Sequence, residues 1–420
     1  MPVHRAFDVM APMDVHSARC LAIQPGRAAS SPPRAGRNFF GTAELAENPI
    51  DQGGLALVAD TQSDASRRNN SETRRADTGK IRGICSRAVR SGLTITAPVP
   101  EWSTPNRIDL ELDTMRLRDF STRLSGAKGA PVLIDPPYAG HSSSIVDYAK
   151  GQSLVETLRA AGHDNVLVMD WKGATGEMKD YDIDTYLAEI NVVVDDLRAP
   201  VHLVGLCQGG WMSAMYASRF PGKVRSLVLA GAPIDTDAGS GPIKRMAHQL
   251  PMSAYRELVA VGGGRMRGKV MLAGWKNMHA EEQYFKKYID LYEHIADKCY
   301  VARTERFERW YENALDLPGR YYLQAIEELF KANRFAKGEF IGLGRKLSLK
   351  DIKVPLYLLA SEADDITPKE QVFEAEHLVG TPHSAIVKKL APGGHIGLFM
   401  GSKTLTETWP EIGHWMKIHE

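Results

Sequence analysis

The sequence predicts an α/β protein with a mostly parallel central sheet, helices on both faces and a helical insertion between two of the later strands. Three observations lead there. From about residue 94, short apolar runs alternate with helical segments, the form taken by a sheet buried under helices. The alternation stops after Ala232 and resumes near Lys353. One apolar run, in "VHLVGLCQGGWM" at 201–212, ends on a cysteine followed by two glycines and then turns into helix formers.

The elements follow in order. Residues 1–93 are dominated by Ser, Arg, Asn, Pro and Gly, with 12 arginines against 1 lysine and few apolar residues at any period; a disordered tail is expected. Few aromatic residues stand among those arginines, which argues against a nucleic-acid-binding arm. The main domain, 94–420, offers strands in "PVLIDP" from Pro131, "NVLVMDW" from Asn165, "VHLVGL" from Val201, "VRSLVLAG" from Val224, "PLYLLAS" from Pro355 and "AIVKKL" from Ala385. Helices are expected at 145–161, at 184–197 and at 209–220. In the second, Tyr186, Leu187, Ile190, Val193, Val194 and Leu197 form one apolar stripe; the third stops at Pro221-Gly222. Residues 234–352 read as a helical cap over the sheet. Within it "VGGGRMRGK" lacks the spacing and the trailing Ser or Thr of a phosphate loop, and a flexible loop is expected.

Composition narrows the function classes. With 420 residues, 43% hydrophobic, 25% charged and a net charge of +1, the chain has room for a large core and no charge excess that would attract nucleic acid or an anionic membrane. No apolar run approaches the roughly 18 to 20 residues of a membrane span. Cys20, Cys85, Cys207 and Cys299 lie far apart with no C-x-x-C pair, so neither a zinc site nor a disulfide framework is encoded, and a cytoplasmic setting is expected. No metal or resident cofactor is expected.

The chemistry concentrates at strand ends. Cys207 stands on a strand-to-helix corner with small neighbours, which pushes its side chain out beside a helix N-terminus. A thiol nucleophile needs a base, and the base needs an acid to fix its tautomer. "EADDITP" puts Asp364 and Asp365 past one strand, and "APGGHIGLFMG" puts His395 in a glycine-flanked turn past the next. Asp364 is preferred because it is nearer the sheet edge. The chain order Cys, Asp, His is that of an α/β-hydrolase triad. An oxyanion needs two N–H donors. Gln208, directly after the nucleophile, supplies one; in "IDPPYAGHSSS" Pro136 and Pro137 have none to give, so Tyr138 is named for the other, with Ala139 as the fallback. His141 reads as a loop histidine satisfied by a local hydrogen bond, and Asp170 and Trp171 as turn and packing residues.

The segments "GLCQGG", "LPGRYYLQAIEELFKANRFAKGEF", "LSLKDIKVPLYLLASEADDITP" and "GGHIGLFMG" resemble, in order and spacing, the polyhydroxyalkanoate synthases, particularly the short-subunit kind, over most of 95–420. The resemblance implies an acyl-carrying nucleophile at Cys207, with His395 and Asp364 as its partners. It also implies 3-hydroxyacyl-CoA substrates, CoA being part of the substrate, and a polyester product. A partner subunit or homodimer and a polymer granule surface follow as expected partners. Two features differ from the synthases: Asp364-Asp365 stands where they carry Asp-His, and "IDPPYAGHSSSI" replaces an Asn-containing loop. The Asp-Asp-Ile run also resembles intracellular polyhydroxybutyrate depolymerases, so hydrolysis of polyester or thioester is the alternative activity. An inactive hydrolase-fold scaffold is a further alternative.

Overall fold

The structure is a computed structural model and describes residues 99–121, 129–138, 140–278 and 287–420. The expected tail and the fallback donor Ala139 lie outside the described residues. The centre is an eight-stranded sheet of β1 (Arg107–Glu111), β2 (Met115–Asp119), β3 (Val132–Asp135), β4 (Val166–Trp171), β5 (Val201–Leu206), β6 (Val224–Ala230), β7 (Leu356–Ser361) and β8 (Ile386–Ala391), in spatial order β1-β2-β4-β3-β5-β6-β7-β8. β2 runs antiparallel to both β1 and β4. From β4 to β8 every neighbouring pair is parallel.

The six strands expected from apolar runs are all present. Five of them, β3 to β7, are buried on both faces, and alternate residues feed opposite core layers; β8, at the edge of the sheet, is only partly buried. On β5, Val201 and Leu203 join one layer, and Val204 and Leu206 the other; on β7, Leu356, Leu358 and Ala360 oppose Tyr357 and Leu359. Each such aliphatic side chain removed from water contributes on the order of 1.5–3 kcal/mol. β1 and β2 were not expected. "RIDLE" and "MRLRD" alternate charged with apolar residues, because β1 is an exposed antiparallel edge and β2 is only half covered.

Helix α1 spans Leu154–Ala160, shorter than the helix expected at 145–161. The preceding segment instead makes a single 3₁₀ turn, Ser143–Val146, and a small antiparallel pair, Asp147–Ala149 with Gln152–Ser153. Gly151 turns that pair at a φ of +76°. The Ser153 hydroxyl then caps α1 by accepting from the Glu156 N–H. Helix α2 (Ile183–Asp196) matches expectation and starts at a reciprocal cap between Asp182 and Thr185. Helix α3 (Gln208–Arg219) follows β5 directly. α2 and α3 cover one face of the sheet; α1 and the C-terminal helix cover the other.

Between β6 and β7 the chain leaves the sheet and forms α4 (Pro242–Gln249), α5 (Met252–Val261), α6 (Gly268–Met278), α7 (Lys287–Glu293), α8 (Lys298–Tyr311) and α9 (Gly319–Gln324), the last continuing as a π-helical turn, Ala325–Lys331. The "VGGGRMRGK" segment is not a free loop. Arg265–Met266 pairs with Leu317–Pro318, and Asp316 holds Arg265 at 3.4 Å, Arg267 at 2.8 Å and the Gly268 N–H at 2.9 Å. The glycines there permit backbone contact: a Cβ on Gly319 would stand 2.3 Å from the Gly264 carbonyl oxygen. After β7 come α10 (Lys369–Phe373) and α11 (Ala375–Leu378), and after β8 α12 (Gly397–Met400) and α13 (Trp409–Ile418). Cys207 is a free thiol. Among the described residues no helix is long and apolar enough to cross a membrane, and no group of acidic, His and Cys side chains could hold a metal ion.

The corner between β5 and α3 is packed backbone to backbone. A Cβ on Gly205 would lie 2.5 Å from Gly210 Cα, one on Gly209 2.1 Å from the Asp135 carbonyl oxygen, and one on Gly210 2.3 Å from Ala232 Cβ. Gly209→Ala therefore has to push α3 off β3. We expect it to lower stability by about 1–3 kcal/mol, read as a drop in the thermal unfolding midpoint. An unchanged midpoint would mean that the contact relaxes freely.

His202 is fully buried on β5, with Nδ1 2.7 Å from the Ser226 hydroxyl on β6 and Nε2 unpartnered. Burial, together with the His163 ring at 6.1 Å, lowers its pKa to about 4. The unfolded chain titrates this imidazole near about 6.5. Between those values the unfolded state binds a proton that the fold excludes, so stability falls as pH drops from 6.5 towards 4. The slope from this one site is up to about 1.4 kcal/mol per pH unit. Denaturant unfolding across that range should show the decline, and His202→Phe should make it shallower, with buried His141 still contributing.

Candidate active site

Cys207 sits on the corner with φ +51° and ψ −114°, a conformation rare for a residue with a side chain. The glycine contacts just described hold it there, and its own N–H donates to the Ala230 carbonyl at 2.8 Å. The strain lifts the thiol out of the chain at the C-terminal edge of the sheet, beside the first turn of α3.

Two neighbouring loops meet it. The loop after β7 carries Asp364 and the loop after β8 carries His395, and they are stitched together: the Glu362 N–H donates to Ala391 O at 2.9 Å, the Ala363 N–H to Gly393 O at 3.1 Å, and the Ser361 hydroxyl also to Gly393 O. Asp364 Oδ2 lies 2.7 Å from His395 Nδ1. Its Oδ1 accepts from the N–H groups of Ile366 and Thr367 at 2.9 and 2.8 Å, which fixes the carboxylate plane. The Asp364 side chain is 1% exposed and that of His395 9%. With Nδ1 on Asp364, the other ring nitrogen of His395 is the one left to interact with the neighbouring Cys207 side chain. Gly231, at a φ of +57°, makes room: a Cβ there would lie 3.1 Å from His395 Cε1. Burial disfavours the charged ring, but the Asp364 carboxylate and then Cys207 outweigh it, and the pKa of His395 stands well above the usual imidazole value. The structure thus brings together Cys207, His395 and Asp364, and it is Asp364 that faces the ring.

Gln208 occupies the first position of α3, where N–H groups have no partner within the helix. Tyr138 lies on the loop after β3. Its side chain is a core member, fully buried, with its hydroxyl donating to Lys172 O at 2.9 Å and accepting from the Tyr186 hydroxyl at 3.0 Å. Tyr321 joins the two, 5.7 Å from the Tyr138 ring and 2.9 Å from Gln208 Nε2. His141 stacks between Trp310 at 4.9 Å and Tyr311 at 5.0 Å, and it takes a hydrogen bond with the Tyr311 backbone; burial lowers its pKa to about 4. Asp170 and Trp171 both belong to β4 and not to a turn: Asp170 pairs with Arg118 at 2.7 Å, and Trp171 Nε1 donates to Pro136 O at 3.1 Å.

Two residues near the site escaped the sequence reading. Asp135 ends β3 fully buried, with Oδ2 accepting from the Ser213 hydroxyl at 3.1 Å and Oδ1 without a partner. Burial raises its pKa well above the carboxylate range, against the hydrogen bond from Ser213. Tyr321, on α9, reaches the corner from the far side of the insertion. The strand-end position of Asp135 was a usable signal; nothing local marks Tyr321.

A family model described as "Protein of unknown function (DUF3141)" matches residues 114–413. The Poly(3-hydroxyalkanoate) polymerase subunit PhaC of Haloferax mediterranei is 27% identical over 323 residues, 74% of this chain and 63% of that protein. The subunit of the same name from Allochromatium vinosum is 27% identical over 290 residues, 68% of this chain and 78% of that one. Among solved structures, mouse alpha/beta hydrolase domain-containing protein 10 is 15% identical, with a TM-score of 0.46 over 76% of this chain and all of that one. Strand order, the strained corner and the loop placement make the fold that of an α/β-hydrolase, and the chain belongs to the DUF3141 family, related over most of its length to polyhydroxyalkanoate polymerase subunits.

Proposed function

We propose that this protein is a cysteine-dependent acyltransferase that takes 3-hydroxyacyl thioesters of CoA through an acyl-cysteine at Cys207. The observation that supports this reading is the strained corner at Cys207 beside His395, whose Nδ1 lies 2.7 Å from the buried Asp364 carboxylate. Kinship with polymerase subunits supports the substrate class. The reading includes a cytoplasmic location, where acyl-CoA is found, and access to a growing polymer surface.

His395 takes the Cys207 proton, and the thiolate attacks the thioester carbonyl. The Gln208 and Tyr138 N–H groups receive the negative oxygen. Collapse of that intermediate breaks the bond to CoA, whose sulfur leaves with the proton from His395. A hydroxyl of a second acyl unit then gives its proton to His395, attacks the acyl-cysteine, and leaves an ester and the free thiol. A thioester on Cys207 is nearly isoenergetic with the CoA thioester it replaces, so acyl potential is conserved for transfer. Water in place of the hydroxyl would give hydrolysis instead.

The test is free CoA release from 3-hydroxybutyryl-CoA, with product length measured and Cys207→Ala as the control. Release that depends on Cys207 and yields oligomers is the expected outcome. Release of free hydroxy acid alone would make the protein a thioesterase, and release unaffected by Cys207→Ala would remove the acyl-cysteine. Replacing the orienting acid separates the two aspartates. Asp364→Asn should bring the His395 pKa down, seen in its imidazole NMR titration, and cut kcat/KM by roughly 10²- to 10⁴-fold. Asp365→Asn should have a far smaller effect on both.

A further inference from the structure

The side chain of Gln208 is set up for a task separate from its backbone N–H. One end of its amide is fixed: Nε2 donates to the Tyr321 hydroxyl at 2.9 Å. That hydroxyl spends its own proton on Met212 Sδ at 3.1 Å, so its lone pair is what receives the amide N–H, and the carbonyl end of the amide is the free one. Tyr321 cannot swing away. It is fully buried, with ring neighbours Tyr186 at 4.6 Å, Tyr138 at 5.7 Å and Trp211 at 6.1 Å. Gln208 Oε1 is buried and accepts no hydrogen bond. A buried acceptor left without a donor costs about 1–3 kcal/mol. This one is held rigidly one residue from the nucleophile, where an arriving donor would satisfy it.

We infer that Gln208 Oε1 is the specificity point for a hydroxyl carried on the acyl group close to the reacting carbonyl. The inference rests on the acyl-cysteine reading above and adds a residue and a selection rule to it. An acceptor-only atom attracts an O–H, gains nothing from a CH₂ and repels the lone pairs of a C=O. The site therefore favours a 3-hydroxyacyl group over its deoxy analogue, and over a 3-oxo analogue more strongly still. Tyr321 acts as the positioning residue, because without its hydroxyl the amide is free to turn.

The experiment compares kcat/KM for 3-hydroxybutyryl-CoA, butyryl-CoA and acetoacetyl-CoA in the unmodified protein, in Gln208→Met, which keeps the length and the backbone N–H but removes the acceptor, and in Tyr321→Phe. In the unmodified protein the hydroxyacyl substrate should lead butyryl-CoA by roughly ten- to a hundred-fold. Gln208→Met should bring that ratio close to one, mainly by loss on the hydroxyacyl substrate, and Tyr321→Phe should give an intermediate ratio. Butyryl-CoA turnover reports general damage to the corner, so the ratio remains readable in a weakened variant. An unmodified protein with no preference, or a preference that survives Gln208→Met, overturns the assignment. Cys207→Ala keeps the two readings apart. Turnover that survives it removes the acyl-cysteine, whereas turnover abolished by it beside an unmoved substrate ratio removes only the role of Gln208.

Discussion

The architecture depends on one close approach, that of the first turn of α3 to the ends of β3 and β6. Gly209 touches the backbone of Asp135, and Gly210 touches Ala232, at separations that leave no space for a methyl group. Because the helix must begin so near the sheet, Cys207 has to turn through a left-handed conformation. The energy for that strain comes from the packed layers on either side of the sheet, where large apolar side chains are buried in alternation. A looser corner would let the cysteine relax into an ordinary strand end and draw its sulfur away from His395.

Much of this was legible in the sequence because burial on both sides of a sheet leaves continuous apolar runs. The central strands and α2 follow directly from that rule. β1 and β2 do not, since an edge that meets water carries Arg, Asp and Glu on alternate positions and reads as a loop. The region at 145–153 was mistaken for helix because its composition is helix-compatible, while Gly151 and the Ser153 cap decide otherwise through backbone geometry. At the site, residue types and strand-end positions pointed to Cys207 and His395, which the fold places at the same edge of the sheet. Choosing Asp364 over Asp365 requires knowing which carboxylate the loop turns towards the ring, and that depends on the Ile366 and Thr367 N–H groups. Tyr321 was out of reach, because its proximity to Gln208 exists only after the whole insertion has folded.

Charge and burial act together around Cys207. His395 gains positive character from Asp364 despite being buried, while nearby Asp135 is pushed towards its neutral form by the same burial with no cation to oppose it. The tyrosines Tyr138, Tyr186 and Tyr321 keep their protons and serve as neutral hydrogen-bonding groups. The surroundings are thus polar in detail but carry little net charge. Such an environment suits a neutral acyl carbonyl that becomes an anion only during reaction.

The short pair Arg265–Met266 with Leu317–Pro318, clamped by Asp316, brings two distant points of the insertion side by side. Everything between them is an excursion whose ends are already joined. For such an excursion, the entropy of closure grows only with the logarithm of length, so adding or removing a helical turn there costs little as long as the clamp persists. The parts of this lobe away from Leu272, Trp310 and Tyr311, which pack into the core, can therefore be rebuilt without touching the sheet or the corner. Changes of length in the chain would be expected to accumulate there before they reach the sheet.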